Sequence, residues 1–318
     1  MKLINTAYKK ELNQVNNLLK SEIIDEALIQ ELYSYIFNKN GKQLRPLLCL
    51  ISSSGGSKKS SKRFELAAII ELLHTATLVH DDVVDESPTR RGLKTINSSW
   101  TNSHGVLLGD FIYSKAFIMM VKLKNIKILN ELSKATNDIS KGELIQLELI
   151  GKKNVSLDDL KKVSYYKTGR LFEAAARCGA LLKENDKKYE NNISNCAKNI
   201  GIAFQIRDDI LDYSNNAKAI GKPVLQDIQE NKITYPLYFA MASADLKDRQ
   251  YFKNRLGSKI SKNNKILEKV ERLGGITESN KLLDIYIKKS ISYANKIDNK
   301  NIREEMLNLA KFSYERTK

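Results

Sequence analysis

The chain of 318 residues is 42% apolar and 28% charged, enough to build a large core under a solvated surface and too apolar for a disordered polypeptide. Its net charge of +16 would suit a polyanion, but the lysines are dispersed among abundant Asn and Ile, which argues for a solvated basic surface and against a nucleic-acid-binding face. Three scattered cysteines, Cys49, Cys178 and Cys196, have neither the even number of a disulfide framework nor the spacing of a zinc site, and read as small core residues.

From Met1 to Thr6 there is no apolar core of a secretory signal, and no apolar run approaches the ~20 residues that span a bilayer, so the expected location is the cytoplasm. Only Pro46, Pro88, Pro223 and Pro236 interrupt long stretches with apolar spacing of three and four. With no sustained strand alternation and no Pro/Gly-rich linker, the expectation is an all-α fold forming a single domain over residues 1–318.

The first cations of interest are Lys42 and Arg45 in Gly41-Lys42-Gln43-Leu44-Arg45-Pro46, and Ser52 to Ser61, with Gly55-Gly56, reads as a loop between helices. An apolar helix is expected from Phe64 to Val84, stopping before Pro88. It leads into Asp81-Asp82-Val83-Val84-Asp85. Residues one helical turn apart share a face, so Asp81 and Asp85 point together, Asp82 sits on the flank, and His74 lies on the same stripe. Arg90-Arg91-Gly92 follows, and Lys167-Thr168-Gly169 supplies a further cation beside a loop.

A second helix is expected where Ile193, Cys196, Ala197, Ile200, Ala203, Phe204 and Leu211 mark one face and run straight through Arg207-Asp208-Asp209. Here Asp208-Asp209-Ile210-Leu211-Asp212 repeats the first acidic pattern 127 residues later, with Gln205 on its stripe. That distance is too long for a repeat array and suggests two helices facing each other. Three carboxylates within a turn repel one another unless a cation neutralises them, and Mg²⁺ shared with substrate phosphates suits such oxygen donors. One such cluster could be a solvated helix end; two, embedded in apolar helices of a basic chain, are not explained that way. Lys222 in Gly221-Lys222-Pro223 and Lys232 in Lys232-x-Thr234-x-Pro236 complete the cations, with Arg suited to bidentate and Lys to point-charge contacts with diphosphate. Taken singly, each of these cations reads as a solvated surface charge; together with two acidic sites they could hold two diphosphates.

This order of segments from Gly41 to Pro236, including Gly109-Asp110 and Gly142-Glu143-x-x-Gln146, resembles the trans-isoprenyl (polyprenyl) diphosphate synthases, and most closely the bacterial octaprenyl type. The resemblance implies an orthogonal bundle of helices around a central active-site cavity. It implies a transferase that joins isopentenyl diphosphate to an allylic diphosphate such as farnesyl diphosphate, with three Mg²⁺ per site. Asp81, Asp82 and Asp85 would hold two ions, and Asp208, supported by Asp209 and Asp212, a third. Arg90, Lys167, Thr168, Gln205, Lys222 and Lys232 would contact the allylic diphosphate; Lys42, Arg45, His74 and Arg91 would hold isopentenyl diphosphate. Glu143 and Gln146 would support the site. The small residues Ala76 and Thr77 would leave the product tunnel open; the bulky run Phe117-Ile118-Met119-Met120 either sets its floor or is plain core filling. The product would then be long, around octaprenyl, of the kind used for quinone side chains.

The resemblance also implies a homodimer and a transient visit to a membrane surface to release product. A shorter product of the geranylgeranyl or farnesyl type, or a catalytically weak partner subunit, are the alternatives. A partner subunit need not keep both acidic motifs, and this chain keeps both. Asn231 stands where the family usually has Gly, Tyr235 where Leu is common, Leu225 and Gln226 depart from the pattern before Asp227, and Arg207 occupies a usually apolar place. The Lys-rich last third reads as helical scaffold.

Overall fold

The computed structural model describes residues 6–21, 26–38, 41–54, 60–90, 92–182, 186–213, 225–258 and 265–316. Among them the elements run α1 (Thr6–Lys20), α2 (Ala27–Phe37), α3 (Leu44–Ser53), α4 (Arg63–Val84), β1 (Thr89–Arg90), β2 (Leu93–Lys94), α5 (Ile96–Ser99) and α6 (Asn102–Lys122). They continue with α7 (Ile126–Leu149), α8 (Leu157–Val163), a π-helical turn (Ser164–Gly169), α9 (Arg170–Leu181) and α10 (Lys187–Asp212). The last are α11 (Gln226–Gln229), α12 (Tyr235–Ser243), α13 (Leu246–Arg255), α14 (Lys265–Arg272), α15 (Gly275–Ala294) and α16 (Lys300–Glu315). The all-α expectation holds, with one addition. The strands β1 and β2 pair antiparallel, Thr89 opposite Lys94 and Arg90 opposite Leu93. Strands of two residues are too short to show alternation in a sequence.

The chain gathers into two compact units, each assembled from separate stretches: Met1–Thr136, Ala174–Ser194 and Ile297–Ile302 in the first, and Asn137–Glu173, Asn195–Lys296 and Arg303–Lys318 in the second. In the first unit α4 is the central helix. Leu66, Ala67, Ile69, Ile70, Leu72, Leu73 and Ala76 are all buried, so it is covered on nearly every side. Burying each such Leu or Ile contributes about 1.5–3 kcal/mol. The helices α1, α3 and α6 pack against it. On α6, Gly109 permits the approach, since a Cβ there would lie 2.1 Å from His80 Nε2. That closeness lets His80 reach the Val106 carbonyl at 3.1 Å.

In the second unit α10 is covered in a similar way. The predicted face is buried at Cys196, Ala197, Ile200 and Ala203, but Ile202, Ile206 and Ile210 are buried too, packed with Tyr235 of α12 and Leu283 and Ile287 of α15. The stripe read from the sequence is therefore only part of the buried surface, and Phe204 and Leu211 on it are half-buried. All three cysteines are buried and none is in a disulfide, as expected, and burial pushes the Cys49 and Cys196 thiols up.

Two expectations need correction. Ser52 and Ser53 are the buried last residues of α3 rather than loop; each serine hydroxyl bonds back to its own helix, Ser52 Oγ to the Leu48 carbonyl at 2.8 Å and Ser53 Oγ to the Leu50 carbonyl at 3.0 Å, which makes these polar residues compatible with a buried helix end. Residues 55–59 of that segment lie outside the described residues. Secondly, α6 is long and apolar enough to cross a membrane. It reaches that mark as an average over interruptions such as Asp110 and Lys115, which hide it from a search for unbroken apolar runs.

Candidate active site

The first acidic motif ends α4. The Asp85 amide donates to the Asp81 carbonyl at 2.8 Å, so the last turn carries Asp81 and Asp85 on one face, both half-buried. Asp82 is different: it is buried and accepts from Arg90 Nε at 2.6 Å. Burial, the largest influence, pushes the Asp82 carboxyl up; Arg90 opposes this, while Asp81 and Asp85 add to it. The β1–β2 ribbon is thus the element that delivers Arg90 to the motif. Behind it, Asn97 Nδ2 donates to the Asp82 carbonyl at 3.2 Å and Thr95 Oγ1 to the Ser87 carbonyl at 2.7 Å, fixing the ribbon to the helix end. Arg91 lies outside the described residues.

Two turns of α4 further back, His74 Nε2 lies 2.9 Å from Arg45 Nη1. A guanidinium has no acceptor, so in this contact Arg45 is the donor and His74 Nε2 the acceptor. The structure therefore brings together two of the residues expected on isopentenyl diphosphate. Arg45 is held in the first turn of α3, where Pro46 costs no helical hydrogen bond. The preceding Gln43 has a left-handed backbone, φ 51°, a strained state for a non-glycine residue. Its side-chain amide pairs with that of Asn16 on α1, donating at 2.7 Å and accepting at 3.3 Å, which holds the Gly41–Gln43 segment and half-buried Lys42 in place. A cleft of about 680 Å³ beside α4 is lined by Gly41, Gln43, Glu71, Thr75, Asp82 and Arg90, among others.

The chain-length candidates are placed on these same helices. Ala76 is fully buried in α4 and Met120 nearly so in α6; Thr77 and Met119 are half-buried, and the Thr77 hydroxyl donates to the His74 carbonyl at 2.8 Å. The cleft beside α4 is lined by Thr75, Leu78 and Val79 rather than by Ala76 and Thr77.

In the second unit a cleft of about 590 Å³ gathers Gln146, Lys167, Gln205, Asp209, Asp227 and Lys232. Lys167 and Thr168 come from the π-helical turn, whose extra residue re-aims side chains. Lys167 Nζ donates to Glu143 Oε2 and to Gln146 Oε1, both at 2.8 Å. Gly142 makes this possible, since a Cβ there would meet Tyr166 Cβ at 2.6 Å. Thr168 Oγ1 donates to Gln205 Oε1 at 2.7 Å, and Gln205 Nε2 passes the contact to Asp209 Oδ1 at 2.9 Å. Buried Asp209 is pushed up to about 7, chiefly by desolvation; Gln205 resists the rise, and Asp208 and Asp212 add to it.

Asp212 is taken by backbone, its two oxygens accepting the amides of Gln226 at 3.0 Å and Asp227 at 3.2 Å at the start of α11. Asp208 pairs with Arg316. Lys232 Nζ bonds Glu230 Oε2 at 2.8 Å; Gly221, Lys222 and Pro223 lie outside the described residues. Sequence reasoning did not anticipate the Arg316 contact or the Asp212 cap.

The departures from the family pattern have local explanations. Asn231 takes a left-handed backbone, φ 60°, which Asn tolerates better than other non-glycine residues. Tyr235 is buried with its hydroxyl 2.9 Å from Ser164 Oγ. Arg207 Nε donates to the Arg316 carbonyl at 2.8 Å.

Among the described residues no three His, Cys, Asp or Glu side chains converge as a ready-made metal cage. That is compatible with Mg²⁺, which keeps several waters and takes one or two carboxylates plus substrate phosphates. Within the first unit half-buried Asp81 and Asp85 fit such an ion, and within the second half-buried Asp208 does; buried, hydrogen-bonded Asp82 and Asp209 fit a supporting part. If Glu143 holds Lys167 for a diphosphate, Glu143→Ala should lower kcat/KM for the allylic substrate by roughly tenfold. Steady-state kinetics with unchanged kcat/KM would show that the pair is structural only.

Comparison with known proteins places the chain in a family. The polyprenyl synthetase family pattern matches residues 26–273. The octaprenyl diphosphate synthase of Escherichia coli is 39% identical over 239 residues, 75% of this chain and 74% of that one. The geranyl-diphosphate-specific all-trans-nonaprenyl-diphosphate synthase of Rhodobacter capsulatus is 33% identical over 304 residues, 95% of this chain and 92% of that one. A crystal structure of a Caulobacter crescentus polyprenyl synthase, complexed with calcium and isoprenyl diphosphate, superposes with a TM-score of 0.92 at 30% identity, covering 98% of this chain and 96% of that one. With the family pattern spanning most of its length and a relative at 33% identity spanning nearly all of it, this chain belongs to the polyprenyl synthetase family.

Proposed function

We propose that this enzyme is a long-chain all-trans polyprenyl diphosphate synthase that condenses isopentenyl diphosphate with an allylic diphosphate, farnesyl diphosphate being the natural trial substrate. The observation that carries the reading is the cleft in which Lys167, Gln205, Asp209 and Lys232 meet beside the helix face of Asp208 and Asp212. Cations and carboxylates lining one cleft suit a diphosphate that arrives with a divalent ion. In the first unit the Arg45–His74 pair, next to Lys42, suits the second, metal-free diphosphate.

Breaking the allylic C–O bond leaves both bonding electrons on the departing diphosphate. Mg²⁺ supplies, when bound, positive charge that stabilises this growing charge. Lys167, held by two partners, and Lys232 add fixed cations that need not reorganise as the bond breaks. The carbocation is attacked by the alkene of isopentenyl diphosphate, forming one C–C bond, and loss of a proton to the released diphosphate restores a double bond. Asp81, Asp82 and Asp85 serve the ions on the allylic diphosphate, and Asp208, with Asp209 and Asp212 behind it, a further one. Ala76 and Thr77 keep the tunnel open, and Met119 and Met120 close it. The octaprenyl and nonaprenyl names of the relatives support a long product, a precursor of quinone side chains made in the cytoplasm and released at a membrane surface that the basic charge attracts.

We read the enzyme as a homodimer. In support, α6 and the start of α7 expose Leu107 at 67%, Val121 at 63% and Ile126 at 75%, an apolar face of the sort that a self-complementary contact buries. Leu107→Glu should convert the dimer to monomer in sedimentation velocity; an unaltered mass would remove α6 from the interface. Function itself is tested by release of inorganic diphosphate when Mg²⁺, farnesyl diphosphate and isopentenyl diphosphate are supplied together. No release from the chain alone, with release on adding a second subunit, would identify a partner subunit instead.

A further inference from the structure

Arg316, the residue after α16, is engaged by three contacts on one face of α10, all within the second unit. Its guanidinium pairs with the Asp208 carboxylate. The same guanidinium stands over the Phe204 ring, 4.1 Å from the centroid. Its backbone carbonyl accepts from Arg207 Nε at 2.8 Å. The Arg316 side chain is only 16% exposed, so it is a seated group and not a solvated surface charge. Arg207 gains a purpose here: an arginine at an apolar place in the helix anchors the backbone that carries Arg316, and Phe204, one turn before Asp208, supplies the platform.

The carboxylate so held is the one assigned above to a divalent ion. A guanidinium and a hard dication cannot both take its oxygens fully, and whichever state is favoured depends on the competitor's concentration. We propose that Arg316 is a displaceable strap: it neutralises Asp208 while the metal is absent and yields the carboxylate when Mg²⁺ and diphosphate arrive. Arg207 and Phe204 position it. The strap offsets the charge of Asp208 beside Asp209 and Asp212 in the resting enzyme and makes the third ion's binding contingent on freeing the α16 end.

The inference rests on Asp208 being a metal ligand, and the test separates the two. Calorimetric titration of the full chain with Mg²⁺ in the presence of inorganic diphosphate is compared for the unaltered protein, Arg316→Gln, Arg207→Leu and Asp208→Asn. Hydrogen exchange is followed over residues 303–316 with and without the same additions. Removing a competing ion pair should lower the Mg²⁺ concentration at half-saturation roughly threefold to tenfold in Arg316→Gln, and to a smaller extent in Arg207→Leu. In the unaltered protein, Mg²⁺ and diphosphate should reduce amide protection at the end of α16; in Asp208→Asn they should not. If Arg316→Gln binds Mg²⁺ equally or more weakly while Asp208→Asn loses binding, the strap is overturned and the metal assignment stands. If Asp208→Asn binds Mg²⁺ normally, the metal assignment fails and the strap with it. Should Arg316→Gln not fold, unchanged protection of residues 303–316 in the unaltered protein overturns the proposal by itself.

Discussion

Asp81→Ala should lower Mg²⁺-dependent condensation by roughly 10³-fold or more without unfolding the protein. The reason lies in where the residue sits. Asp81 is half-buried on the last turn of α4, past the section of that helix whose Leu and Ile side chains make the core, so its loss leaves the packing untouched. On the proposed reading it removes a carboxylate for the ions that stabilise charge on the leaving diphosphate, a term that grows as the bond breaks and so appears in kcat. Asp208→Ala should behave alike in turnover, although it also strands Arg316, which pairs with it in this structure. Circular dichroism should report intact helices in both variants. Turnover within a few-fold of the unaltered enzyme in either one would remove that residue from the metal site.

The second large effect concerns product length. Ala76→Tyr should end elongation several C5 units early, because an aromatic ring at this position fills the space through which the growing chain would pass. Ala76 is fully buried in α4, which sharpens the experiment. A large side chain forced into a close-packed interior costs about 1–3 kcal/mol or more, whereas one that enters an apolar tunnel costs far less. Shortened product from a protein with near-normal thermal stability therefore identifies a tunnel wall. A destabilised protein with unchanged product length would show Ala76 to be ordinary core.

Much of the architecture was legible because the two motif helices are long and regularly apolar. The helix expected from Phe64 to Val84 is α4, Arg63–Val84, and the stripe from Ile193 leads along α10 into the second motif. Spacings of seven and four along α4 also put His74 and the outer aspartates on one stripe, with Asp82 on the flank, and Asp82 is the buried member.

Other features left no local trace. The Arg316–Asp208 pair joins residues 108 positions apart, and nothing about one arginine among many cations marks it for an aspartate. The ribbon bearing Arg90 is too short for a period-two signal. The π-helical turn at Ser164–Gly169 differs from an α-helix by a single residue, below the resolution of apolar spacing. For Asp212 the sequence shows the charge and not the α11 amides that its oxygens accept. Asn231 departs from the family's usual Gly, and its left-handed backbone shows it standing in for that glycine.

The most direct test of the account is to incubate the chain with Mg²⁺, labelled isopentenyl diphosphate and farnesyl diphosphate and to size the products by chromatography. The account predicts label in a ladder of prenyl diphosphates that accumulates near the octaprenyl length and disappears when the metal is chelated. Label that stops at the farnesyl or geranylgeranyl length, or that enters no product at all, would contradict it.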